Sequence, residues 1–82
     1  MNKPNYKLLS QVSENNKVTL KALRNSSTDF LLFLNKKELQ LGTEIFIHQV
    51  ETFDKSMTIS YGKFSEVNIS SEVANRLLVD LL

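Results

Sequence analysis

Residues able to do acid–base or metal chemistry are few in this sequence, and their spacing does not concentrate them. His48 is the single histidine and there are no cysteines. Thiolate metal sites, disulfide frameworks and cysteine nucleophiles are thereby excluded. His48 sits between Ile47 and Gln49 in a strand-like run. A nucleophilic site needs a nucleophile held by a base and an orienting third group, and no motif here supplies one. Glu44 and His48 share strand parity, but an ideal strand separates them by about 13 Å, too far to bind one metal directly. The ordinary reading of His48 is a structural or surface residue. Glu51, Asp54, Glu66 and Asp80 form no pair with enforced proximity, so solvated surface positions are expected for them. With only Gly42 and Gly62 there is no glycine-rich phosphate loop. Asn25-Ser26-Ser27 and Asn68-Ile69-Ser70 match the glycosylation sequon by chance. These residues point to a protein that is not an enzyme.

The elements that would carry them are those of one small β-rich domain spanning 1–82, with residues 1–5 a frayed lead-in. The 82 residues are 41% hydrophobic and 23% charged, a globular balance in a chain that accommodates a single modest core. No apolar run is long enough to cross a membrane. The start of the chain lacks the apolar stretch of a secretory signal. A cytoplasmic location is the resulting expectation. The formal net charge is +1, and Arg24 and Arg76 are the only arginines. Nucleic-acid binders usually carry a basic stripe, so direct nucleic-acid contact by this domain is not expected.

Tyr6, Leu8, Leu9 and Val12 suggest a short first strand or extended arm, followed by a turn at Ser13–Asn16. Val18, Leu20 and Ala22 alternate as a half-buried strand does. Asn25-Ser26-Ser27-Thr28 breaks that pattern. Ser27 or Thr28 then caps a helix with Asp29 in its first turn, and Lys36 and Lys37 stand at its negative end. Gly42 turns the chain into a strand from about Thr43 to Thr52 marked by Ile45, Ile47 and Val50. Met57, Ile59 and Tyr61 alternate cleanly. Gly62-Lys63 suits a type II′ hairpin, and Phe64 to Ile69 returns. Ser70 or Ser71 caps one helical turn before a closing strand with Leu77 and Val79. The fold class is mainly β: a small SH3-like barrel of about five strands, one helix and one short helical turn, closed to protect its edges.

Leu34-Asn35-Lys36-Lys37-Glu38-Leu39-Gln40-Leu41-Gly42-Thr43-Glu44-Ile45 resembles the signature of FeoA domains, a helix followed by entry into a strand. Phe53-Asp54-Lys55-Ser56-Met57-Thr58-Ile59 and Ile69-Ser70-Ser71-Glu72-Val73-Ala74-Asn75 resemble the C-terminal domains of the diphtheria-toxin-repressor family. The likeness spans roughly residues 8–80. It implies a non-catalytic regulatory domain of an iron- or manganese-dependent repressor, with Fe2+ or Mn2+ bound elsewhere in the full-length protein and no cofactor held here. Its partners would be other domains or a second subunit of the same repressor, with self-association as a further possibility. The alternative is a free-standing relative of ferrous-iron transport protein A assisting a membrane iron transporter, which the chain length favours. In some repressors this domain lends a carboxylate and an amide to an ancillary metal site near the start of its helix. The corresponding positions here are Ser27 and Phe30. Phenylalanine cannot ligate and serine is a poor ligand for iron or manganese, so no metal site is expected.

The run Phe30 to Leu34 is apolar at every position and so surrounds its helix. Helix packing needs only one stripe. Irregular loops could cover the remainder, or the excess could be a partner surface. Phe30, Leu32 and Phe33 are the helical candidates for that surface. Phe46 joins them because it points away from Ile45 and Ile47.

Overall fold

In the computed structural model, residues 6–24 and 27–81 are described; the expectations for residues 1–5, Asn25, Ser26 and Leu82 lie outside them. The elements are β1 (Lys7–Leu8), a 3-10 turn (Leu9–Gln11), β2 (Lys17–Leu23), α1 (Thr28–Lys36), β3 (Glu44–Val50), β4 (Met57–Tyr61), β5 (Phe64–Ile69), α2 (Ser71–Ala74) and β6 (Leu77–Leu81). They form one antiparallel sheet in the order β1-β6-β2-β3-β4-β5. The mainly β, SH3-like class therefore holds. The expected barrel closure through hydrogen bonds does not, because the order is linear and no ladder joins β5 to β1 among the described residues. A sixth strand, the two-residue β1, forms one edge. The chain leaves it for the 3-10 turn because Leu9 and Val12 are drawn into the core, at 0% and 5% exposure. The arm is thus anchored by burial rather than by a long ladder.

Three bulges explain where simple alternation fails. Ile47 pairs with Ile59 and Gln49 with Thr58, leaving His48 as an extra residue in β3. The extra residue flips parity. Ile45 and Ile47 are fully buried, and beyond the bulge the half-buried apolar residue is Val50. β2 carries the same device at Lys21, between the Leu20–Val79 and Ala22–Leu78 pairs. On β5 the Ile59–Val67 and Tyr61–Phe64 pairs enclose one extra residue, and Glu66 there adopts φ 55°. That bulge bends the edge strand, which discourages pairing with foreign strands. The hairpin turn has Gly62 at φ 54° with Lys63 outside the left-handed region, as a type II′ turn requires.

The core unites the inner faces of all but the shortest strand with α1. Leu20, Ile45, Ile47, Met57, Ile59 and Leu77 are completely buried. Ser27 caps α1, its hydroxyl accepting the Phe30 N–H at 3.2 Å, with Asp29 and Lys36 at the ends that suit their charges. At the other end the Leu39 N–H donates to the Leu34 carbonyl at 3.0 Å and the Glu38 N–H to that of Asn35 at 3.1 Å. This is a Schellman ending, and Leu34 and Leu39 are both buried beneath it. The left-handed position usually filled by glycine is occupied by Glu38, at φ 58°. Glu38→Gly should therefore stabilise the fold by about 1 kcal/mol, read as a higher urea midpoint with unchanged slope.

Tyr61 ties the sheet to that helix end, its hydroxyl donating to the Lys37 carbonyl at 2.7 Å. Burial, and then the nearby Glu38 charge, raise its pKa above the ordinary phenol value. Folding thus favours the protonated phenol, whose stabilising contribution is complete below the unfolded-state pKa and declines as pH climbs towards the raised value. Tyr61→Phe should cost about 1 kcal/mol at neutral pH and flatten the alkaline limb of the stability curve. Urea denaturation across that pH range measures both.

Candidate functional site

Helix α1 presents one stripe inward and one outward. Phe30 and Leu34 are its buried residues, and at about 100° per residue their mean direction leaves Leu32 on nearly the opposite side. Leu32 is accordingly 56% exposed. Leu31 and Phe33 flank it at about 80° to either side of the buried direction. Leu31 is exposed, while Phe33 is half-buried because its ring stacks on Phe30, with centroids 6.4 Å apart. The Lys37 ammonium lies 5.7 Å over the Phe33 ring, covering it with a cation that stays hydrated.

Phe30 is thus a core residue, 8% exposed, and belongs to the anchoring stripe instead of the presented face. The Arg76 guanidinium lies 5.5 Å over its ring. Leu31 takes its place outside, a residue the sequence reading passed over. The signal was the 3.6-residue period itself: once Phe30 and Leu34 are paired inward, Leu31 and Leu32 are left out. Phe46 is half-buried on the outer face of β3 and meets the His48 ring edge-on at 4.8 Å. Its ring partner is on its own strand and not on α1, so the four candidates divide into a core anchor, an exposed helix face and a separate strand pair.

The polar candidates remain scattered. His48, the β3 bulge residue, is exposed. Glu44 lies 3.9 Å from Lys17 with both side chains mostly in solvent, a pairing worth little. Glu51 accepts from the Gln49 amide at 2.8 Å, and Glu14 accepts the Val50 N–H at 2.8 Å. Asp54 accepts the Ser56 N–H at 3.0 Å, and that bond with the Ser56 side-chain bond holds its carboxyl below the usual value. No group of three or more histidine, cysteine, aspartate or glutamate side chains able to hold a metal occurs among the described residues.

Two surface depressions complete the picture. One, about 300 Å³, lies between the start of α1 and α2 and includes Ser27, Asp29, Phe30, Glu72 and Arg76. It contains the positions of the ancillary metal ligands noted above. Ser27 spends its hydroxyl on the helix cap, Phe30 offers an apolar ring, and Glu72 lies 3.6 Å from Arg76. Neither Ser27 nor Phe30 thus supplies the carboxylate or amide of that ancillary site. The other, about 440 Å³, runs between the Ser10–Glu14 segment and the β3–β4 loop. No helix among the described residues is long and apolar enough to cross a membrane.

Among the described residues the apolar face of α1 and the two depressions are the features on which a functional reading can rest. Among solved structures, the metal-dependent transcriptional regulator MtsR superposes with a TM-score of 0.82 at 29% identity, covering 93% of this chain and 36% of that one. A manganese-dependent transcriptional repressor in complex with manganese gives a TM-score of 0.88 at 14% identity, covering 98% and 38%. An iron uptake regulatory protein, FeoA, gives 0.82 at 19% identity, covering 95% of this chain and 100% of that one. The chain thus spans little more than a third of those regulators and the full length of that FeoA protein. No curated protein matches it in sequence. The FeoA domain matches residues 7–81, nearly the whole chain, and the protein belongs to the FeoA-domain family, whose fold is shared by metal-dependent repressors and free-standing FeoA proteins.

Proposed function

We propose that this chain is a non-catalytic regulatory and interaction domain of an iron- or manganese-dependent transcriptional repressor, and that it tunes metal-activated DNA binding by contacts within or between subunits. The observation that carries this reading is the outward face of α1, where Leu31 and Leu32 stand in solvent although the helix is already anchored by Phe30 and Leu34. The likeness to MtsR, at 29% identity over 93% of this chain, supports it. Fe2+ or Mn2+ would bind elsewhere in the repressor, which is cytoplasmic. The domain acts by differential contact: whichever metal-dependent state of the protein covers Leu31 and Leu32 more fully is favoured.

In the intact protein, Leu31→Ser with Leu32→Ser should shift the metal concentration for half-maximal DNA binding by about 5- to 150-fold, the usual size of such coupling. Leu32→Ser with Phe33→Ser should act in the same direction, with some added loss of stability from the Phe30–Phe33 stack. An unchanged metal response and unchanged dimerisation in both variants would refute the proposal. A second reading, a free-standing accessory of a ferrous-iron transporter, is favoured by the full coverage of the FeoA structure. Under that reading the α1 variants would lose binding to a membrane transporter and leave DNA binding untouched.

A further inference from the structure

The β3–β4 loop holds the most exposed large apolar side chain among the described residues. Phe53 is 96% exposed, against 61% for Leu41 and 56% for Leu32. The loop that carries it is internally pinned. The Glu51 N–H donates to the Ser56 carbonyl at 2.8 Å, the Lys55 N–H to the Glu51 carbonyl at 3.0 Å, and the Ser56 N–H to the Asp54 carboxylate at 3.0 Å. Lys55 is held at φ 63°, a conformation that a β-carbon makes costly. Phe53 is thus projected into water by a built turn.

Single exposed apolar residues are common on protein surfaces and by themselves require no function. What sets Phe53 apart is its neighbour. Glu51, Thr52 and Lys55, on either side of it in the loop, line the groove of about 440 Å³ whose apolar wall comes from Val12 and Val50. A knob and a hole built by one loop lie side by side on one surface. A two-fold axis beside the loop would set each knob into the other copy's hole, the reciprocal arrangement of an isologous dimer.

We propose that Phe53 of one copy of this chain seats in the groove of a second copy, reciprocally, making the β3–β4 loop a self-recognition device. Charge supports the second copy as occupant. The groove rim carries Glu14 and Glu51, and it carries Lys55, which forms no ion pair among the described residues. The two-fold exchange brings each Lys55 towards the carboxylates of the other copy. The same rim disfavours an anionic membrane, since Glu14, Glu51 and Asp54 outnumber the one lysine around Phe53. Two buried phenylalanines contribute roughly 150–250 Å² each, a small share of the ~1,200 Å² or more of a standard complex. A weak, reversible dimer follows. It is independent of the α1 face, and a failure of one proposal leaves the other standing.

Sedimentation equilibrium of the chain is the test, over a range from about 10 µM to 1 mM. A concentration-dependent monomer–dimer equilibrium is expected. Phe53→Ser, at a position too exposed to unfold the domain, should weaken it at least about 10-fold. Lys55→Glu should weaken it, and adding Glu51→Lys should restore it, while Leu32→Ser leaves it unchanged. The sequence has no tryptophan, so Phe53→Trp supplies a unique reporter whose emission should move to the blue as protein concentration rises. A monomer at every concentration, or a dimer that survives Phe53→Ser, would overturn the proposal. So would failure of the charge exchange to restore association. A blue shift seen only on adding vesicles of anionic phospholipid, and never with protein concentration, would overturn it in favour of a membrane surface.

Discussion

Phe30→Ala should cost about 3 kcal/mol of folding stability, while Leu32→Ser two residues away should cost less than about 0.5 kcal/mol. The contrast follows from burial: Phe30 is 8% exposed and Leu32 is 56% exposed on the same helix. Truncating Phe30 removes the ring that stacks on Phe33 and lies beneath Arg76, and opens a cavity where α1 meets the core. The loss falls at the low end for a phenylalanine because α1 lies at the periphery, and partial collapse of the helix onto Leu34 would close some of the void. Urea denaturation of both variants measures the difference. Equal losses would place Leu32 in the core and remove the basis for an outward face.

Ile47→Ala should be the other large effect, about 3–4 kcal/mol. Ile47 is fully buried in a central strand and pairs with Ile59, also fully buried. Its backbone accepts from the Asn15 N–H at 2.7 Å and donates to the Asn16 carbonyl at 3.0 Å, so strand β3 also holds the turn that leads into β2. β3 lies between β2 and β4 in the sheet, so the site has less freedom to collapse than a peripheral helix. A domain of this length has a total stability of about 4–12 kcal/mol, so the variant should lie near the edge of folding at 37 °C. Thermal denaturation followed by circular dichroism would show a midpoint lowered by well over 10 °C.

Much of the fold was legible because its signals are local. The alternation of Met57, Ile59 and Tyr61 and the Gly62-Lys63 hairpin depend on a few adjacent residues and appear in the structure as read, and of the paired cap candidates the structure uses Ser27 and Ser70. Features set by distant partners were harder. The bulges at Lys21 and His48 arise from the register of neighbouring strands, which a single strand does not encode. Closure of the barrel is likewise a property of the whole sheet. Glu38 hid the Schellman ending because glycine, the usual marker of that position, is absent.

The candidate surface was legible in part for the same reason. An apolar run around α1 left open whether loops cover the excess or it faces outward, and did not say which residues would do so. Phe30 was counted among the surface candidates because the whole apolar run was taken together, whereas its i, i+4 relation to Leu34 sends it inward. Phe46 was grouped with the helix on parity alone, and parity gives a face without giving a neighbour. The groove beside Phe53 has no sequence signature, since Ser10–Glu14 and Val50–Lys55 meet only in the folded chain.

The central claim is that the outward face of α1 is a contact surface in the intact protein. Methyl NMR spectra of Leu31 and Leu32, recorded for this chain alone and for the intact protein with and without Mn2+, test it most directly. The account predicts that both methyl pairs shift in the intact protein and shift again on adding the metal. Spectra that superpose under all three conditions would contradict it.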